Sequence, residues 1–152
     1  MHDRTVSTLN ALLNGERSAA KCYQRVLRRV PEAADGRAEM QECLESHHRR
    51  AARLAVEVSS RGGASSVRVG FWGRMFALLT SMLATAAFRL ARRLLQSVEI
   101  HGIRRYDRSW ERLDGSARYL LTTSLFPEQV LSHQAIALLN DSHGGLARTT
   151  TS

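Results

Sequence analysis

Four long stretches in which apolar side chains recur at three- and four-residue steps run through this chain, a period that only helices present on one face. The first covers about 5–29, its stripe passing through Leu9, Leu12, Leu13, Glu16, Ala19, Ala20, Tyr23, Val26, Leu27 and Val30. Pro31 ends it and Asp35-Gly36 marks the turn. The second, about 37–60, carries Met40, Leu44, His47, Ala51, Leu54 and Val58 before Gly62-Gly63 closes it. The third, about 85–113, turns Ala91, Leu95, Val98, Glu99, Gly102, Ile103, Tyr106 and Trp110 inward and stops at Asp114-Gly115. The fourth, about 116–140, is read with Leu120, Leu121, Phe126, Val130, His133 and Ala137 inside; Pro127 within it predicts a kink or restart at Leu125 or Phe126.

A chain of 152 residues supports one hydrophobic core. The expectation is a single all-α domain over 1–141, an antiparallel four-helix bundle, followed by a disordered Gly/Ser/Thr-rich tail at 142–152. The apolar run at 75–88 falls short of the roughly 20 residues needed to span a bilayer. Arg74 and Arg89 bracket it, so it is read as a short crossover helix between helices two and three, with no transmembrane segment. If exposed, its first part is a dimer or membrane-facing surface, and a homo-oligomer is expected. The start lacks a signal-peptide pattern, which points to the cytoplasm. Cys22 and Cys43 are too few for a disulfide framework and are read as packing thiols, the weaker reading being a redox pair level on adjacent helices.

Charge narrows the partners. The 22 Lys and Arg, nearly all Arg, against 14 Asp and Glu leave a net +8, a balance that attracts nucleic acid, acidic membrane or acidic protein. Arg49, Arg50, Arg53, Arg92, Arg93, Arg104 and Arg105 are candidates for such a surface; the plainer alternative is a solvated Arg-rich exterior. No glycine-rich phosphate loop, Cys-x-x-Cys pair or nucleophile elbow is present, so nucleotide, zinc-ribbon and serine-hydrolase readings lack support.

The apolar stripes have polar interruptions that echo between halves. Glu16 precedes Tyr23 by seven residues and Glu99 precedes Tyr106 by seven, two turns in each case, so each Glu shares a face with its Tyr. His47 and His133 interrupt the following helices. Each Glu and the His after it stand at similar distances from the intervening turn, so the two carboxylates and two imidazoles are expected to converge near mid-bundle. Buried charge needs compensation. One compensation is a divalent metal: iron, manganese or zinc on Glu16, His47, Glu99 and His133, with Tyr23 and Tyr106 behind them. The other is a metal-free Glu-His network bonded to the tyrosine hydroxyls.

The run Leu9-Asn10, Leu13-Asn14-Gly15-Glu16-Arg17-Ser18-Ala19-Ala20 and Tyr23, then Glu99-Ile100-His101-Gly102-Ile103 and Tyr106, then Phe126-Pro127-Glu128-Gln129 and His133, resembles a bacterial four-helix-bundle family of unknown activity in the ferritin-like superfamily. The likeness covers about 7–139 and extends to the Trp72-Gly73 connector. It implies a ferritin-like fold and a carboxylate metal site. Di-iron bundles carry Glu-x-x-His on two helices. Glu45-x-x-His48 has that spacing, on a less apolar face than His47, so Glu45 and His48 are secondary candidates. Three residues before His133 stands Val130, which binds no metal, and Glu128, the remaining secondary candidate, lies on another face. His101 is expected at the surface or just behind the site. Three functions follow: a metal-binding protein with oxidase or iron-handling activity, a non-enzymatic helical scaffold or binding module, stress-related or oligomeric, and an Arg-rich anion binder.

Overall fold

The computed structural model describes residues 2–64 and 87–145. Helix α1 is His2–Leu27, α2 Arg37–Ser60 and α3 Ala87–Ser109, followed by a 3-10 turn at Trp110–Arg112. The fourth rod of the bundle is composite: α4 Gly115–Leu120, a wide π-helical segment Leu121–Leu125, and α5 Phe126–Gly145. The turns fall where the breakers stand. Gly36 holds φ +83 at the start of α2, and Gly62 holds φ +69 after its end, donating to Ser59 O at 2.9 Å; a left-handed backbone is cheap only for glycine. The Asp114 carboxylate caps α4 by accepting from Ala117 N at 3.1 Å, and Arg61 from the end of α2 pairs with the same carboxylate.

Cross-helix bonds fix the directions. Tyr23 meets Glu99 while Tyr106 meets Glu16, so α1 and α3 are antiparallel. Cys43 meets Ser132 while Arg53 meets Ser124, so α2 and the fourth rod are antiparallel too. Arg92 bonded to Leu139 and Gln129 to Glu99 give the same sense to α3 and α5. The end of α2 lies beside the start of α1, where Asn10 Nδ2 donates to Ala64 O at 3.2 Å. The first turns of α3 lie at the other end, beside Leu139, which packs on Gly36. The link between α2 and α3 therefore joins opposite ends of an antiparallel four-helix bundle. The crossover helix expected at 75–88 lies outside the described residues except for its last two positions, which open α3, and so does the dimer surface placed on it.

Two apolar clusters fill the interior. One gathers Tyr23, Leu27, Met40, Cys43, Leu95 and Ile136; the other gathers Leu9, Leu12, Leu13, Leu54, Val58, Leu113 and Leu125. The intervening level of every rod carries polar residues. Glu16, His47, Arg50, Glu99 and Gln129 are each at most 4% exposed, so a polar layer divides the core.

The fourth rod does not face as expected. Its buried positions are Ala117, Leu121, Leu125, Gln129, Ser132, Ile136 and Leu139, whereas Phe126, Val130, His133 and Ala137 are half-buried, one residue out of phase. Two causes combine. The segment before Pro127 is wound wide, with the Phe126 N–H reaching Leu121 O, five residues back, so rotation lags there. Beyond it α5 is apolar on several sides, Leu131 and Leu138 being exposed, so periodicity marks the inner face poorly. The break itself lies where Pro127 predicts. Helix α5 also runs on to Gly145, past the boundary expected near Asn140; 146–152 lie outside the described residues. No helix among the described residues is long and apolar enough to cross a membrane.

Candidate functional site

Each rod delivers one part of the polar layer. His47, from α2, stands between two carboxylates, its Nδ1 2.7 Å from Glu16 Oε2 of α1 and its Nε2 3.1 Å from Glu99 Oε1 of α3. Tyr106 donates to Glu16 Oε1 at 2.8 Å and Tyr23 donates to Glu99 Oε1. The seven-residue echo thus crosses over: each tyrosine serves the carboxylate of the other helix, which antiparallel α1 and α3 require. Gln129, from α5, donates through Nε2 to Glu99 Oε2 at 2.6 Å and to Glu99 O at 3.2 Å.

The centre holds one further group that the sequence reading placed outside. Arg50 is 0% exposed. Its Nε donates to Glu16 Oε2 at 3.0 Å and its Nη1 to the hydroxyls of Ser46 at 2.7 Å and Ser132 at 3.3 Å. Burial opposes ionisation of Arg50, but the neighbouring Glu16 outweighs it and holds the guanidinium firmly charged. Arg92, also expected on the anion-binding surface, is likewise buried and donates to Leu139 O at 3.0 Å. Both were misplaced because arginine is ordinarily a surface residue; here a buried acceptor draws each inward.

Glu16 and His47 respond to this arrangement in opposite directions. Burial alone would raise the Glu16 carboxyl, but His47, Arg50 and Tyr106 together hold it down to about 2. Burial alone would disfavour the imidazolium, but bonds from Glu16 and Glu99 at both nitrogens raise His47 above its ordinary value. Arg50 Nη2 also stands 2.8 Å from His47 Nδ1, an approach of two donors when the ring is charged. Charge balance decides the state: Glu16 and Glu99 against Arg50 and an imidazolium sum to zero, and the Glu16 Oε2 shared by both cations offsets their proximity. The phenols of Tyr23 and Tyr106 are pushed well up by burial and adjacent carboxylates, so they act as donors.

The remaining site residues lie elsewhere. His133 does not enter the layer; it is half-buried and its Nδ1 has no hydrogen-bond partner among the described residues. The one-residue phase error accounts for this, since Gln129 and Ser132 take the inward positions. Glu45 and His48 are exposed, bonded to Gln41 and Gln24. Glu128 is turned to Arg53. His101 is exposed, as expected, at the mouth of a cavity of about 40 Å³ between α1 and α3, whose wall includes Glu16, His47, Tyr106 and Gln129. That volume takes one or two waters. Gly15 and Gly102 flank it, and a Cβ on Gly102 would stand 2.4 Å from Gln129 Nε2, so glycine there lets the amide reach Glu99. Cys22 and Cys43 are buried free thiols pushed up to about 12 mainly by burial, hence protonated and poorly reactive.

Arg50 and Gln129 left a faint signal. Cys43, Ser46, Arg50 and Leu54 form a stripe of small and apolar residues one step beside His47, and Leu125, Gln129, Ser132 and Ile136 do the same on the fourth rod. In each, a small hydroxyl within one turn makes room for the long polar side chain.

Stability follows from these shifts. A carboxyl held at about 2 instead of 4.5 contributes on the order of 3 kcal/mol, present above 4.5 and lost as pH falls through 2. The His47 contribution runs the other way, complete below 6.5 and lost as pH rises through its raised folded value. Urea midpoints are therefore expected to peak between about 4.5 and 6.5 and fall on both sides. His47→Gln should flatten the alkaline limb, and an unchanged limb in that variant would remove His47 as its source.

Among the described residues no group of three or more His, Cys, Asp and Glu side chains is arranged to hold a metal ion. No protein-family profile, curated protein or solved structure matches this chain.

Proposed function

We propose that this chain is a ferritin-like bundle whose central Glu-His cluster is a self-neutralised structural layer, and that the protein acts as a non-enzymatic helical scaffold or binding module. One observation carries this reading: the guanidinium of Arg50, wholly buried, supplies at Glu16 the positive charge that a divalent metal would otherwise bring. The remaining oxygens face donors. Glu16 Oε1 accepts from Tyr106, and both oxygens of Glu99 accept from Tyr23, His47 and Gln129. An ion entering here must displace Arg50 and repel an imidazolium, and α5 offers Gln129, a weak ligand, where ferritin-like di-iron sites place Glu and His. The single end-to-end link supports the ferritin-like assignment, because bundles of that kind have one long crossover. Two free buried thiols suit a reducing compartment, and with it the cytoplasm.

The second reading, an iron, manganese or zinc centre, is favoured by the meeting of Glu16, His47 and Glu99 from three helices. Elemental analysis separates the two. Protein expressed in medium supplemented with all three metals and purified without chelator is expected to carry substoichiometric metal, unchanged in Glu16→Ala and Glu99→Ala. One equivalent of metal in the parent protein, absent from both variants, would establish the metal centre and end the closed-layer reading.

A further inference from the structure

Among the described residues only some arginines stand in ion pairs. Four arginines on α2 or directly after it do so: Arg49 with Glu42, Arg50 with Glu16, Arg53 with Glu128, Arg61 with Glu57 and Asp114. On the opposite side of the bundle, α1 and the turn after it present Lys21, Arg25 and Arg28, and α3 presents Arg104, Arg105 and Arg108. None of these six makes an ion pair within 4.0 Å among the described residues. The separation is set by where the acids stand. From residue 4 to 27, α1 has one carboxylate, the buried Glu16. The acids of α3 are the buried Glu99 and Asp107, which shares the side of Gln96 and Ile103, toward α5.

The six cations spread over the outer face of α1 and α3: by helical spacing Arg105 stands on the side of α3 turned to α1, Arg25, Arg104 and Arg108 point outward, and Lys21 and Arg28 share the side of Asn10 and Gln24, toward α2. Positions 18, 21, 25 and 28 make one stripe along α1, and 97, 101, 104 and 108 make one along α3. The cavity lined by Ser18, Cys22, His101 and Arg105 opens between these stripes. Gly15 provides the floor on which the Arg105 guanidinium rests, since a Cβ there would stand 1.9 Å from its Nη1. With Tyr23 level with Glu99 and Tyr106 with Glu16, the basic stretch from Arg28 to Arg108 runs for about 20 Å along the bundle.

We propose that this outer face of α1 and α3 binds the phosphate backbone of duplex nucleic acid without reading its sequence. A set of cations, five of the six arginine, that make no ion pair among the described residues and outnumber the exposed Asp107 and Glu111 beside them suits a linear polyanion, and about 20 Å corresponds to roughly six phosphates at 3.4 Å of rise along one strand. A bilayer fits less well. Among the described residues α1 exposes no large apolar side chain and α3 exposes only Leu90, with Trp110 just beyond its end, whereas Val56, Leu131 and Leu138 lie on α2 and α5. The buried layer walls the cavity beneath this face, but none of the cations to be substituted bonds to it among the described residues, so the binding test is independent of the metal question.

The test is fluorescence anisotropy with a labelled random duplex of about 25 base pairs, titrated from about 50 to 200 mM salt. The parent protein is expected to bind, with log K falling against log salt at a slope of about −4 to −5, the mark of some five phosphate contacts. Arg104→Glu with Arg108→Glu, and separately Lys21→Glu with Arg25→Glu, should each weaken binding at least about tenfold and reduce the slope by about 2. Arg49→Glu with Arg53→Glu on α2 changes net charge equally and is expected to change binding less than about threefold. Circular dichroism confirms that each pair remains helical. Absence of binding at the lowest salt overturns the proposal. So does equal loss from all three pairs, which reports net charge alone, and so does binding to vesicles rich in phosphatidylserine without binding to the duplex.

Discussion

Arg50→Ala is expected to cost about 3–5 kcal/mol of folding stability, because it leaves the Glu16 carboxylate buried beside a layer that then carries net negative charge. For a chain of this size that corresponds to a fall in melting temperature of roughly 6–20 °C. The companion variant matters as much as the deletion. Arg50→Met with Glu16→Met removes both charges and leaves His47 paired with Glu99, so the double variant is expected to recover most of the loss, by the logic of buried pairs replaced by apolar residues. Thermal melts of Arg50→Met, of Glu16→Met and of the double give the coupling directly. Additive losses would show that Arg50 and Glu16 do not act as a pair, and the neutral-layer account would fall with them.

Glu99→Ala should be comparably damaging, about 3–5 kcal/mol, for a different reason. It strands two buried donors, the Tyr23 hydroxyl and His47 Nε2, and leaves Gln129 Nε2 only the Glu99 backbone carbonyl. It also leaves Arg50 and an imidazolium against Glu16 alone, so His47 should surrender its proton at lower pH than in the parent protein. Urea denaturation reads the first effect, and the histidine ring resonances followed against pH by NMR read the second. Glu99→Gln keeps an acceptor for Tyr23 and should restore part of the stability without restoring the His47 shift. A loss below about 1 kcal/mol in Glu99→Ala is incompatible with a buried carboxylate bonded by three donors.

The parts of this layer that spacing could reveal are those whose chemistry contrasts with the stripe they interrupt. Glu16 and Glu99 stand among leucines and alanines, and each points to its tyrosine by a separation of two turns. His47 shares the stripe of Met40, Leu44 and Leu54, so three of the four helices could be oriented from sequence. The fourth could not, because α5 alternates too little between apolar and polar faces, and the wide segment upstream prevents extrapolation from Ala117 and Leu121. Arg50 and Gln129 were hidden for a different reason. Long polar side chains look alike in sequence whether they extend into water or fold back onto a carboxylate, and only the acceptor's location distinguishes the cases. Which compensation Glu16 and Glu99 receive is therefore a tertiary property, set by groups from α2 and α5 that no pattern on α1 or α3 contains.

The wide segment Leu121–Leu125 has a consequence for how this bundle tolerates change in length. At 100° per residue, an unbroken α-helix continued from Ala117 would bring Ser124, Glu128 and Leu131 to the inside and carry Gln129 away from Glu99. The loosened winding behaves as one inserted residue absorbed locally, so removal of a single threonine there keeps the downstream face in place, whereas tightening at full length ratchets α5 round and exchanges an amide for a third carboxylate beside Glu16 and Glu99.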